Sequence, residues 1–163
     1  MLGEAGSVDE REVVMAQQLD MRSTRATAGP QSTRAAELLR RADAELVAAR
    51  LSSEAWELFT HAHLAALRAG AAVVAARTAA PGRKALRTVW ELLDAVAPEL
   101  VAWSTYFADA APLRSAVDAG RFDELSAGRA EQALFWAEDF VDAARDAVQG
   151  DDVGTAAHAL RAS

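Results

Sequence analysis

Residues Glu54–Thr78 read EAWELFTHAHLAALRAGAAVVAART, and this stretch decides the fold class. Nine of its residues are alanine, the best helix former because it gives up no side-chain entropy on folding. No strand-like alternation of apolar and polar residues interrupts it, and Pro81-Gly82 closes it. As a helix it would be about 37 Å long at 1.5 Å per residue. Its lower half presents Trp56, Phe59 and His63. Its upper half presents Ala66, Ala69, Gly70 and Val73, small residues that let a neighbouring helix approach closely. The most apolar part, Leu64–Ala80, is mostly alanine and carries Arg68 and Arg77, a poor membrane span. A packed helix away from any membrane is expected.

The flanking segments repeat the pattern. From about Thr33 to Leu51, the residues Leu38, Leu39, Ala42, Leu46 and Ala49 form one apolar stripe opposite Arg40, Arg41 and Glu45. Ser52 and Ser53 are candidates to cap the next helix. A third helix is expected from near Lys84, with Val89, Trp90, Leu92, Leu93 and Val96, broken at Pro98 because proline removes a donor and clashes with the preceding turn. Leu100, Val101, Trp103, Tyr106 and Phe107 mark a further helix that Pro112 interrupts. Leu113–Ala119 resumes it and Gly120 stops it. Ser126 caps a last helix to about Val148, with Leu134, Ala137, Val141, Ala144 and Val148 inward. Four to five helices with short connections predict an all-α, antiparallel up-down helical bundle.

Three regions follow. Residues 1–31 lack a sustained apolar face, end in Arg25-Ala26-Thr27-Ala28-Gly29-Pro30, and read as a disordered N-terminal arm. Residues 32–150 form the bundle. Gly150-Asp151-Asp152 opens a C-terminal tail, 151–163.

The chain has 163 residues, enough for one domain, and a net charge of −7 that is unevenly placed. Residues 22–90 carry eleven bases and five acids; residues 91–163 carry five bases and fourteen acids. A uniformly basic nucleic-acid binder is excluded, whereas a basic half-surface is not. Attraction between the halves, within one bundle or across a dimer, explains the asymmetry equally well. Cysteine is absent, which excludes disulfides and thiol chemistry. Together with the acidic, polar start, this predicts a cytoplasmic protein. Sixteen arginines to one lysine, with abundant alanine, suggest a GC-rich coding genome.

The candidate chemistry begins with three histidines, His61, His63 and His158. His61 shares a helix face with Glu54 and Glu57, while His63 lies on the Trp56–Phe59 side and reads as a hydrogen-bonded core residue. The Glu-x-x-His spacing of di-iron bundles does not occur, nor does a glycine-rich phosphate loop or a nucleophile elbow. No metal site and no cofactor are expected. Glu138, Asp139, Asp142 and Asp146 read as a solvated face, with acid–base or cation chemistry as the sharper alternative. Arg83, Lys84 and Arg87 surround the Pro-Gly turn at a helix start and could contact a phosphate or nucleic acid.

Phe59–Ala71 (FTHAHLAALRAGA), Val89-Trp90-Glu91-Leu92-Leu93 and Ala97-Pro98-Glu99-Leu100-Val101-Ala102-Trp103 together resemble an actinobacterial subfamily of the HEPN superfamily, the higher-eukaryote and prokaryote nucleotide-binding domains. The resemblance covers roughly residues 33–148. It implies a four-to-five-helix bundle, commonly a homodimer, in a superfamily whose members are metal-independent endoribonucleases or bind RNA or partners without cleaving. Its catalytic members carry Arg-x4–6-His. Here the required arginine positions hold Glu54, Ala55, Trp56, Glu57, Leu58, Asp151, Asp152 and Val153. No catalytic residue carries over. His61 and Arg68, seven residues apart, are the nearest substitutes on one helix face. The reading is a non-catalytic HEPN-like bundle that binds RNA, a nucleotide or a protein partner. The alternatives are a divergent endoribonuclease and a structural helical adaptor.

Overall fold

A computed structural model describes residues 30–78 and 87–162. Among them all regular structure is helical: α1 (Pro30–Leu51), α2 (Ala55–Arg77), α3 (Val89–Val96), a 3-10 turn (Pro98–Leu100), α4 (Val101–Asp109), α5 (Ala111–Asp118), a second 3-10 turn (Phe122–Glu124) and α6 (Ala127–Arg161). The expected all-α up-down bundle is the fold found. The expected N-terminal arm, residues 1–31, lies almost wholly outside the described residues.

Ion pairs and ring contacts fix the helix directions. Arg41 O and Glu45 on α1 meet Arg68 and His61 respectively on α2, and Asp43 and Arg50 meet Arg145 and Glu138 on α6. Thus α1 runs against both. Trp103 and Tyr106 on α4 meet Asp139 and Trp136, so α4 also runs against α6. The result is up, down, up, down, with α2 in the middle. Phe59, Ala62, Ala65, Ala66, Ala69, Ala72 and Val73 of α2 are all buried, as a helix covered on several sides requires. Half of the apolar window in Ala55–Arg77, long enough on composition alone to cross a membrane, is buried in the bundle.

Gly70 shows why the small residues matter. A Cβ placed there would lie 2.9 Å from Val89 Cγ1 and 3.4 Å from Trp90 Cζ3, so α3 sits where only glycine leaves room. Beyond it Trp90 stacks on Phe107 with centroids 5.5 Å apart, and Trp103 stacks on Phe140 at 6.0 Å. These rings pack the core, whereas Phe135 is 67 % exposed and Phe122 44 %.

The helix ends combine expected and unexpected chemistry. Pro98 breaks the chain as anticipated, Gly120 adopts φ +80°, and the Ser126 side chain accepts a hydrogen bond from Arg129 N. Ser52 and Ser53 do not cap α2. Glu54 occupies that position without a side-chain bond, and Ser52 Oγ instead donates to Ala48 O at 2.8 Å, a backward bond that competes with capping. α3 begins at Val89 with a reciprocal capping box between Thr88 and Glu91. The last helix does not stop near Val148; it continues through Gly150 to Arg161. Glycine in a helix costs only about 1 kcal/mol, and Arg77 Nε donates to Asp151 Oδ2 at 2.8 Å while Ser32 Oγ donates to Asp152 Oδ1 at 3.0 Å.

The charge asymmetry is partly internal. Arg50 pairs with Glu138 at 2.7 Å, and Arg77 pairs with both Glu99 and Asp151. Each joins the basic half of the sequence to the acidic half.

Candidate functional site

The titratable cluster that reaches the surface lies in the α1–α2 seam. α1 buries Ala35, Leu39, Ala42, Leu46 and Ala49, a stripe that leaves position 45 on its flank. That flank faces α2, where residues 61 and 68 are two helical turns apart. One carboxylate spans the pair: Glu45 Oε2 lies 2.6 Å from His61 Nδ1, and Glu45 Oε1 lies 2.6 Å from Arg68 Nη1. Arg68 Nη1 also donates to Arg41 O at 3.3 Å. Glu45 retains 13 % side-chain exposure, against 36 % for His61 and 34 % for Arg68.

This corrects the sequence reading in one respect. Glu45 does not stand on the solvent face with Arg40 and Arg41, and His61 is engaged from outside the face it shares with Glu54 and Glu57. Instead the carboxylate that engages His61 comes from the neighbouring helix. A signal was present: an acid one position off an apolar stripe, facing a histidine and an arginine spaced by seven. Chemically, an Nδ1–H donated to Glu45 leaves Nε2 as the basic nitrogen, while the same carboxylate offsets the charge of Arg68.

His63 is in the core, 4 % exposed, with Phe59, Trp90 and Phe107 around its ring. The expected hydrogen bond is missing at one nitrogen: Nδ1 is buried with no partner. Burial, with Arg114 adding to it and Asp118 opposing, lowers its pKa from 6.5 to about 4. His158 is exposed on α6 beyond the bundle.

The acidic residues of α6 divide their roles. Glu138 holds Arg50, Asp139 accepts from Trp103 Nε1 at 3.0 Å, and Asp142 shares Arg145 with Asp43. Asp146 faces solvent. Among the described residues no three His, Asp or Glu side chains converge where they could hold a metal ion. Of the basic turn, Arg87 is exposed one residue before the Thr88 cap, while Arg83 and Lys84 lie outside the described residues.

Among the described residues the fold is an all-α up-down bundle. The SAV_6107-like HEPN family model matches residues 48–145, and the chain belongs to that family. The match takes in His61, Arg68 and Arg87 and leaves Glu45 outside it. No curated protein and no solved structure matches the chain.

Proposed function

We propose that this protein is a non-catalytic HEPN module that acts by binding a protein partner and that self-associates as a homodimer. The observation that carries the reading is Glu45, whose single carboxylate occupies both His61 and Arg68. Metal-independent RNA cleavage needs a base or acid at the 2′-hydroxyl and a cation free to stabilise the phosphate. A cation already bound to a carboxylate is poorly placed for that, and the negative charge repels a polyanion. Arg50, Arg77, Arg114, Arg121 and Arg145 are likewise held in ion pairs, which argues against an electropositive RNA surface.

Protein contact is favoured by the large apolar side chains left outside. Leu51 is 81 % exposed and Phe135 67 %. Leu51 follows Arg50 in the chain and Phe135 lies one helical turn before Glu138, the two residues whose ion pair ties α1 to α6, and an interface of this kind sets an aromatic anchor beside paired charges. The small-residue face of α2 is used inside the bundle. Self-association therefore has to use another face.

One observation favours a second reading, the divergent endoribonuclease: a carboxylate on His61 Nδ1 is also how a general base is oriented. Incubating the protein with mixed RNA in the absence of metal separates the two. Intact RNA supports the binding module, and cleavage that vanishes in His61→Ala supports the enzyme. A direct RNA contact at Arg83, Lys84 and Arg87 would appear as steeply salt-dependent binding lost when all three are replaced.

A further inference from the structure

The segment Ala111–Glu124, which comprises α5 and the second 3-10 turn, lies between the end of α4 and the start of α6. Ala110 ends α4 before it, Leu125 and the Ser126 cap follow it, and Gly120 sits within it at φ +80°. Most of its residues are exposed. Its attachments are few. Arg114 Nη1 donates to Thr60 O on α2 at 3.3 Å, Ala116 and Val117 are buried with Leu113 packed against the same core, and Phe122 stacks on Trp56 with centroids 5.0 Å apart. Segments with sparse buried contacts open ahead of the rest of a fold.

This segment supplies the charged groups that act on His63, Arg114 and Asp118, which are themselves paired at 2.9 Å. The other elements around the ring present Phe59 from α2, Trp90 from α3 and Phe107 from α4, with Phe140 of α6 behind them. None of these carries a charge. A proton on His63 makes both ring nitrogens donors, yet the buried Nδ1 faces no acceptor. It also places a second cation near Arg114, in surroundings too apolar to screen it.

We propose that Ala111–Glu124 is an acid-released flap, driven off α2 when His63 takes up a proton. Lifting the segment carries Arg114 and Asp118 away together, so the relief comes chiefly from opening the buried ring to water, burial being the largest cause of its lowered pKa. With the flap closed the ring titrates at about 4, against 6.5 for a solvated imidazole. Because the closed value is the lower one, the closed state is fully favoured above 6.5 and loses ground as the pH falls towards 4. These two values raise the open-to-closed ratio about 20-fold between about pH 7 and about pH 5.

Hydrogen-exchange mass spectrometry on the full chain, at about pH 7 and about pH 5 with intrinsic rates corrected, tests this. Protection in 111–124 should fall with acid while α1 and α6 stay protected, and His63→Leu should abolish the difference. Equal loss of protection across α1, α2 and α6, or release of 111–124 that persists in His63→Leu, would overturn the proposal. Should His63→Leu fail to fold, the wild-type protein carries the test. The His63 ring resonances should titrate below 6.5 in step with a change in Trp56 fluorescence as Phe122 leaves it. Titration of His63 with no change at Trp56 would contradict it.

Discussion

Glu45 Oε2 lies 2.6 Å from His61 Nδ1, although sixteen residues and a helix turn separate the two in sequence. The contact crosses the α1–α2 seam, and the second carboxylate oxygen binds Arg68. Removing Glu45 therefore releases the His61 ring and the Arg68 guanidinium together. Glu45→Ala should lower stability by about 1–2 kcal/mol, since a partly exposed pair is worth less than a buried one. A double-mutant cycle with His61→Ala, followed by thermal circular dichroism, should return a coupling of about 0.5–1 kcal/mol. Strictly additive losses would show that the contact contributes nothing.

Gly70 is a point of close approach between α2 and α3. Gly70→Ala gains about 1 kcal/mol of helix propensity but sets a methyl 2.9 Å from Val89 Cγ1. Overpacking of this kind costs about 1–3 kcal/mol, so the net effect should be destabilising. Val89→Ala added to it should recover part of the loss, as read from urea midpoints. A stabilised Gly70→Ala would mean that α3 yields freely.

Arg77 joins the end of α2 to Asp151, Glu99 and Val96 O. These bonds hold α6 in register just past Gly150. Arg77→Met keeps the aliphatic stem and removes the donors, and should increase amide exchange in residues 150–161 about tenfold or more while leaving Ala127–Val148 unchanged. No change in 150–161 would mean that the helical extension stands without the anchor.

Most of the architecture was legible because alanine, apolar periodicity and proline breaks are local signals. Leu39, Ala42 and Leu46 had to face a core, and Pro98 had to interrupt a helix. Glu45 was not legible in the same way. A residue on the flank of a stripe is solvated when its helix stands alone and becomes a seam residue only when a particular neighbour packs beside it. The continuation of α6 escaped for a related reason: Gly150 and two aspartates read as a stop, but Asp151 and Asp152 find Arg77 and Ser32 across the fold. His63 was correctly placed in the core, whereas its unpartnered nitrogen depends on which rings surround it.

Self-association makes a separate prediction. Light scattering at micromolar concentration should report a dimer. Leu51→Glu with Phe135→Asp should weaken it about tenfold or more, since each places a charge where an apolar anchor is proposed. A monomer at all concentrations would contradict the homodimer.

The central claim is that this HEPN module binds without cleaving. Purified protein incubated with mixed RNA in the presence of a metal chelator, with products resolved by gel electrophoresis, tests it most directly. A binding module leaves the RNA intact in the wild type, in His61→Ala and in Glu45→Gln alike. Cleavage by the wild type that disappears in His61→Ala would contradict it and make the Glu45–His61 pair a catalytic dyad.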